Sequence, residues 1–84
     1  MASQTFALTD AWDAANRYTA SGETDIILSN VGGNSNLQFD LTGDDSPPAQ
    51  DVGHRIKAGE SRAMTLNDGE RLWMRGQTTA LLGT

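Results

Sequence analysis

His54 is the one histidine of the chain and there is no cysteine, so few residues could do acid–base or nucleophilic work. Nucleophilic catalysis needs a base beside a serine or threonine, oriented by a third group. The positions suggest no such arrangement. His54 falls in phase with Val52 and Ile56, the spacing of a side chain packed on one face of a strand. Asp44 and Asp45, with Asp40 and Asp51 close by, could gather a calcium ion through oxygen ligands. Their spacing fits no calcium-loop pattern, and Asp is an ordinary turn residue. Gly32-Gly33 leads into Asn34-Ser35 with no following Lys-Ser/Thr, which reads as a turn rather than a phosphate cradle. The expectation is a protein that is not an enzyme, with no catalytic residue, metal or cofactor assigned.

The unusual constellation is Arg71-Leu72-Trp73-Met74-Arg75. On a strand, Leu72 and Met74 point one way and Arg71, Trp73 and Arg75 the other. Exposed Trp flanked by Arg matches the composition of protein interfaces. The alternative is that Trp73 packs within the chain, under the N-terminal segment or a second sheet. Arg and Trp together could also suit single-stranded nucleic acid. A formal net charge of −5 with only six basic residues argues against that partner.

The elements that must hold these residues are short β-rich runs separated by Gly, Asn, Asp and Pro. Residues 5–9 place Phe6 and Leu8 on one face, and residues 24–31 are rich in branched side chains. Leu37, Phe39 and Leu41 alternate with Gln38, Asp40 and Thr42, the clearest half-buried strand. Pro47-Pro48 marks a loop, because proline has no donor for a ladder. Runs at 52–57, 61–66, 70–75 and 78–83 follow, joined by connections so short that they predict an antiparallel meander. A three-residue loop, Asn67-Asp68-Gly69, places Met64, Leu66, Leu72 and Met74 on one face. A two-residue Gly76-Gln77 turn would pair Met74 with Thr79 and Leu72 with Leu81, and would set Ala80 and Leu82 beside Trp73. The predicted core is then Leu37, Phe39, Leu41, Ile56, Met64, Leu66, Leu72, Met74 and Leu81.

The fold class is therefore all-β, a small antiparallel β-sandwich or jelly-roll-like domain with short hairpins. At 84 residues it is a single domain overall, with residues 24–84 as the sandwich. Residues 1–23 are set apart as an N-terminal arm, within which residues 10–23 are open to three readings: a helical turn capped by Thr9, another strand, or an arm reaching a neighbour. A small domain without disulfides often gains stability by association. The N-terminus lacks the basic and apolar regions of a signal peptide and no segment is a membrane span, so a soluble chain made in a cytoplasm is expected. Charge is uneven. Residues 1–54 hold eight acids against Arg17 alone, and residues 55–84 hold five bases against three acids. This fits contact between copies, or a solvated surface with clustered charge.

One cadence runs through residues 24–82: Asn30-Val31-Gly32-Gly33, the alternating stretch from 37 to 41, a Pro-containing loop, His54-Arg55-Ile56-Lys57-Ala58-Gly59-Glu60-Ser61, and Leu66-Asn67-Asp68-Gly69-Glu70-Arg71-Leu72-Trp73-Met74-Arg75-Gly76. It resembles the short β proteins of tailed-bacteriophage structural gene clusters. The resemblance implies a virion structural protein, foremost a capsid cement (decoration) protein. Such a protein would bind the major capsid protein on the outer capsid as a homotrimer, with no nucleic acid or membrane partner. It would be made in the host cytoplasm. A tail or fibre component is the alternative within that class, and an arm carrying Phe6, Leu8 and Trp12 would reach onto the capsid. The candidate interface is Trp73, Arg71, Arg75, Leu82, Trp12 and Phe6. Outside that class, a carbohydrate-binding β-sandwich would use Trp73 or Trp12 as a stacking platform.

Overall fold

The computed structural model describes residues 3–50 and 52–84. It contains eight strands: β1 (Ser3–Ala7), β2 (Arg17–Thr19), β3 (Thr24–Asn30), β4 (Leu37–Thr42), β5 (His54–Ile56), β6 (Ser61–Leu66), β7 (Arg71–Arg75) and β8 (Thr79–Gly83). One 3-10 turn, Ala14–Asn16, precedes β2 and is capped by Asp13, whose Oδ1 accepts from the Ala15 amide at 3.0 Å. The strands form two antiparallel four-stranded sheets, β1-β8-β3-β6 and β2-β7-β4-β5. Successive strands alternate between the sheets everywhere except from β4 to β5. Eight strands in this order make a double-sheet jelly roll, and the expected all-β sandwich is what the chain forms.

Period-2 alternation decides what fills the space between the sheets. Ile26, Leu28, Leu66, Ala80 and Leu82 from one sheet meet Leu37, Phe39, Ile56, Leu72 and Met74 from the other, with Leu8 and Ala20 closing the ends. Phe6, Tyr18 and Met64 pack against this core from its margins. Leu41, expected inside, lies at the rim and is 36% exposed.

The predicted meander is corrected. β6, β7 and β8 are not neighbours: β7 pairs with β2 and β4, while β8 pairs with β1 and β3. The three-residue turn at Asn67-Asp68-Gly69 does exist, with Gly69 in the left-handed region at φ +81° and the Glu70 amide bonded to Asn67 O at 3.0 Å. It carries the chain from one sheet to the other, so Met64, Leu66, Leu72 and Met74 share the core from opposite walls. The Gly76-Gln77 step likewise crosses between sheets and sets no Met74–Thr79 ladder. The inward residues of β8 are therefore Ala80 and Leu82, and Leu81 faces out. A side chain at Gly76 has no room, since a Cβ there would lie 2.6 Å from Asn36 O.

The N-terminal segment, open to a reading as an arm, belongs to the sandwich. Ser3–Ala7 pairs with β8 in register Ser3↔Gly83 to Ala7↔Thr79, and Arg17–Thr19 pairs with β7. Met1, Ala2 and Asp51 lie outside the described residues, and with Asp51 one of the four carboxylates considered for calcium.

Asn30 ties the two walls at one end. Its Nδ2 donates to Ile56 O and Ser35 O, each at 2.9 Å, and its Oδ1 accepts from the Gly32 amide at 3.3 Å and from the Thr78 hydroxyl. With 1% of its surface exposed, every polar atom of this side chain is used.

Candidate interaction surface

Parity places Arg71, Trp73 and Arg75 on the outer face of the β2-β7-β4-β5 sheet, as the alternation predicts. That face is not open. Trp73 is 2% exposed, with the Arg17 guanidinium 5.1 Å from its ring centroid and its Nε1 donating to Thr42 Oγ1 at 2.8 Å. Packing under the N-terminal segment is thus the arrangement adopted. Arg71 donates to Asp45 Oδ1 at 3.1 Å and to the carbonyls of Gly43 and Gly69. Arg75 donates to Gln38 Oε1 at 2.8 Å, Gln50 O at 2.7 Å and Val52 O at 3.3 Å, and lies 4.2 Å over the Trp12 ring. The Trp12 Nε1 donates to Ala49 O at 3.0 Å. Two arginines and Trp12 therefore fasten the connection between β4 and β5 across this face.

Asp45 is shared by Arg17 (3.4 Å) and Arg71 (3.1 Å), but its side chain is 70% exposed. Exposed pairs contribute little because water screens them. Asp45→Ala is expected to cost less than about 1 kcal/mol. Thermal melts at low and high salt should show a small deficit that shrinks as salt rises.

The remaining candidate residues serve the fold. Leu82 is a core residue at 1% exposure, where the sequence pattern set it beside Trp73, and Phe6 faces inward. His54 is exposed at the mouth of the core, its ring 5.3 Å from Phe39. Among the described residues no three His, Asp or Glu side chains converge to hold a metal. No helix there is long and apolar enough to cross a membrane.

The opposite broad face has a different character. Ser3, Thr5 and Ala7 of β1, Thr79, Leu81 and Gly83 of β8, Asp25, Ile27 and Ser29 of β3, and Ser61, Ala63 and Thr65 of β6 point outward from the β1-β8-β3-β6 sheet. Asp25 is the one charge among them, and its Oδ1 accepts from Thr65 Oγ1 at 2.7 Å. Ser29 and Ser61 bond across the strands at 2.7 Å. Ile27 stands 50% exposed in the wall of a mainly apolar groove of about 570 Å³, which Ala63, Met64 and Gly83 line together with Asp25, Thr65 and Thr84. By contrast, Arg17, Gln38, Asp40, Arg55, Arg71 and Arg75 point outward from the other sheet.

Sequence reasoning missed this bare face. Its signal is an absence of charge from the outward rows of four strands, visible only once those strands are known to share a sheet. Arg62 marks the β6 edge. It belongs to the inward row yet curls over the Phe39 ring at 5.5 Å, an inward charge that hinders edge-to-edge pairing.

No protein-family model, curated protein or solved structure matches the chain.

Proposed function

We propose that this chain is a non-enzymatic structural protein of a phage virion, a capsid cement protein that works by surface contact. The observation that carries the reading is the two-sidedness of the slab. One broad face is charged and strapped by its own loop; the other is flat and carries a single charge. Interface cores are depleted in charge, and a continuous uncharged face is where contact is least costly in desolvation. The cadence of residues 24–82 supports the virion class. The jelly roll, which recurs among capsid proteins, supports it only as analogy of fold. A tail or fibre position is the alternative within the class.

The carbohydrate reading loses its platforms. Arg17 lies over Trp73 and Arg75 over Trp12, so the rings that would stack a sugar already carry guanidinium groups.

The test is cosedimentation of the purified chain with empty shells assembled from the major capsid protein of the genome that encodes it. The expected result is saturable binding and a higher melting temperature of the shell, since each bound copy adds buried contact that disassembly must break. Absence from shells, with the chain recovered on isolated tails, would move it to the tail; absence from both overturns the virion reading.

A further inference from the structure

We propose that the bare face of the β1-β8-β3-β6 sheet is closed by a second copy of this chain, related by a twofold axis. The inference rests on that face being the working surface.

Three observations select a second copy as the occupant. Charge comes first. The chain carries −5, so copies meeting through a charged face would repel, whereas the outward rows of this sheet hold one charged side chain, Asp25. A partner that used charge for recognition would find one carboxylate, already bonded to Thr65. The matching surface is another uncharged one, and the molecule itself supplies it.

Shape comes second. A twofold contact uses the same patch on both subunits, so the patch must hold both a projection and its recess. Ile27 is half exposed and forms one wall of a groove whose other lining includes Ala63, Met64 and Gly83, with Asp25, Thr65 and Thr84 at its polar side. Gly83 lies opposite Ile27 in one ladder and Ala63 in the other. The Ile27 of each copy can therefore enter the groove of its mate.

Area comes third. The Cα extents are 33 × 30 × 18 Å, a slab whose thin direction is that of two stacked sheets. A broad face of this size offers roughly 800 Å², the share each partner gives to a stable complex. With the axis lying in the contact plane and crossing the strands at Ile27, the two Asp25 residues fall on opposite sides of it. Their separation is about 13 Å, counting two residues of strand rise in each copy, which exceeds the screening length at physiological salt. A single flat, self-complementary face closes as a dimer, where the resemblance to phage cement proteins implies a trimer.

The experiment is sedimentation equilibrium across a wide concentration range, with thermal melts to verify folding. The wild-type chain should show twice its 9.0 kDa mass. Ile27→Arg should stay folded, because the side chain is half in solvent, and should weaken association by about 30-fold or more, as loss of a central contact does. Val52→Arg, at a site also exposed (40%) but off this face, should remain a dimer. A monomeric wild type, a mass of three chains, or an Ile27→Arg variant that stays dimeric overturns the proposal. Shell binding separates the two ideas. If the wild type is monomeric and Ile27→Arg abolishes shell binding, the face meets the shell and the second copy falls. If the wild type is dimeric and no virion part binds it, the dimer stands and the virion reading falls.

Discussion

Asn30→Ala should lower the unfolding free energy by about 3–5 kcal/mol, seen as a fall in the urea midpoint at unchanged slope. The size follows from what is left behind rather than from the atoms removed. Ile56 O and the Thr78 hydroxyl would lose a partner in fully buried positions, and the Gly32 amide and Ser35 O in half-buried ones. A buried polar group without a partner costs about 1–3 kcal/mol, and water can reach only the latter pair. The same side chain joins the end of β3 to β5 and to the start of β8, so its loss loosens both walls at once. Thr78→Val removes one of these bonds and should cost about 1–2 kcal/mol in the same assay.

Trp73→Ala should destabilise by about 3–5 kcal/mol, the range of large-to-small changes at buried aromatic sites. It deletes a side chain that is 2% exposed, takes away the surface under Arg17 and removes the donor to the Thr42 hydroxyl, which keeps its own bond to Asp44 O. The β4–β5 connection should then become a site of protease cleavage, because the indole Nε1 holds Thr42 at its start and the ring seats the Arg17 that meets Asp45. Trp73→Phe keeps most of the packing and should lose about 1 kcal/mol, the value of one hydrogen bond. If Trp73→Ala left stability and cleavage unchanged while impairing assembly, the residue would be an interface anchor rather than a packed side chain.

The sequence revealed the fold class and most of the inward residues because both depend on local alternation. Leu37, Phe39, Ile56, Leu66, Leu72 and Met74 lie where their spacing puts them. Pairing was not legible, because a short connection constrains distance and does not say whether the chain turns within a sheet or steps to the one facing it. Both outcomes leave Leu66 and Leu72 inside, so parity in that turn was right while the ladder it implied does not exist. At Gly76-Gln77 the same ambiguity reversed β8, exchanging Leu81 for Leu82. The candidate surface suffered for the same reason. Arg71, Trp73 and Arg75 do share an outer face, but what covers it arrives from Trp12, Arg17 and the β4–β5 connection, at long separations in sequence. The uncharged face was hidden because it is assembled from β1, β3, β6 and β8.

Strand order also dictates when the fold can come into being. Among the described residues β1 has only β8 as a ladder partner, and β2 has only β7. A chain growing from its N-terminus at about 5–20 residues per second holds β1 and β2 without these partners until residues 71–83 emerge. β8 must then enter between β1 and β3, and β7 between β2 and β4. Sheets closed by such distant partners fold on the millisecond-to-second scale. The bare face therefore comes into existence only once β8 has entered between β1 and β3.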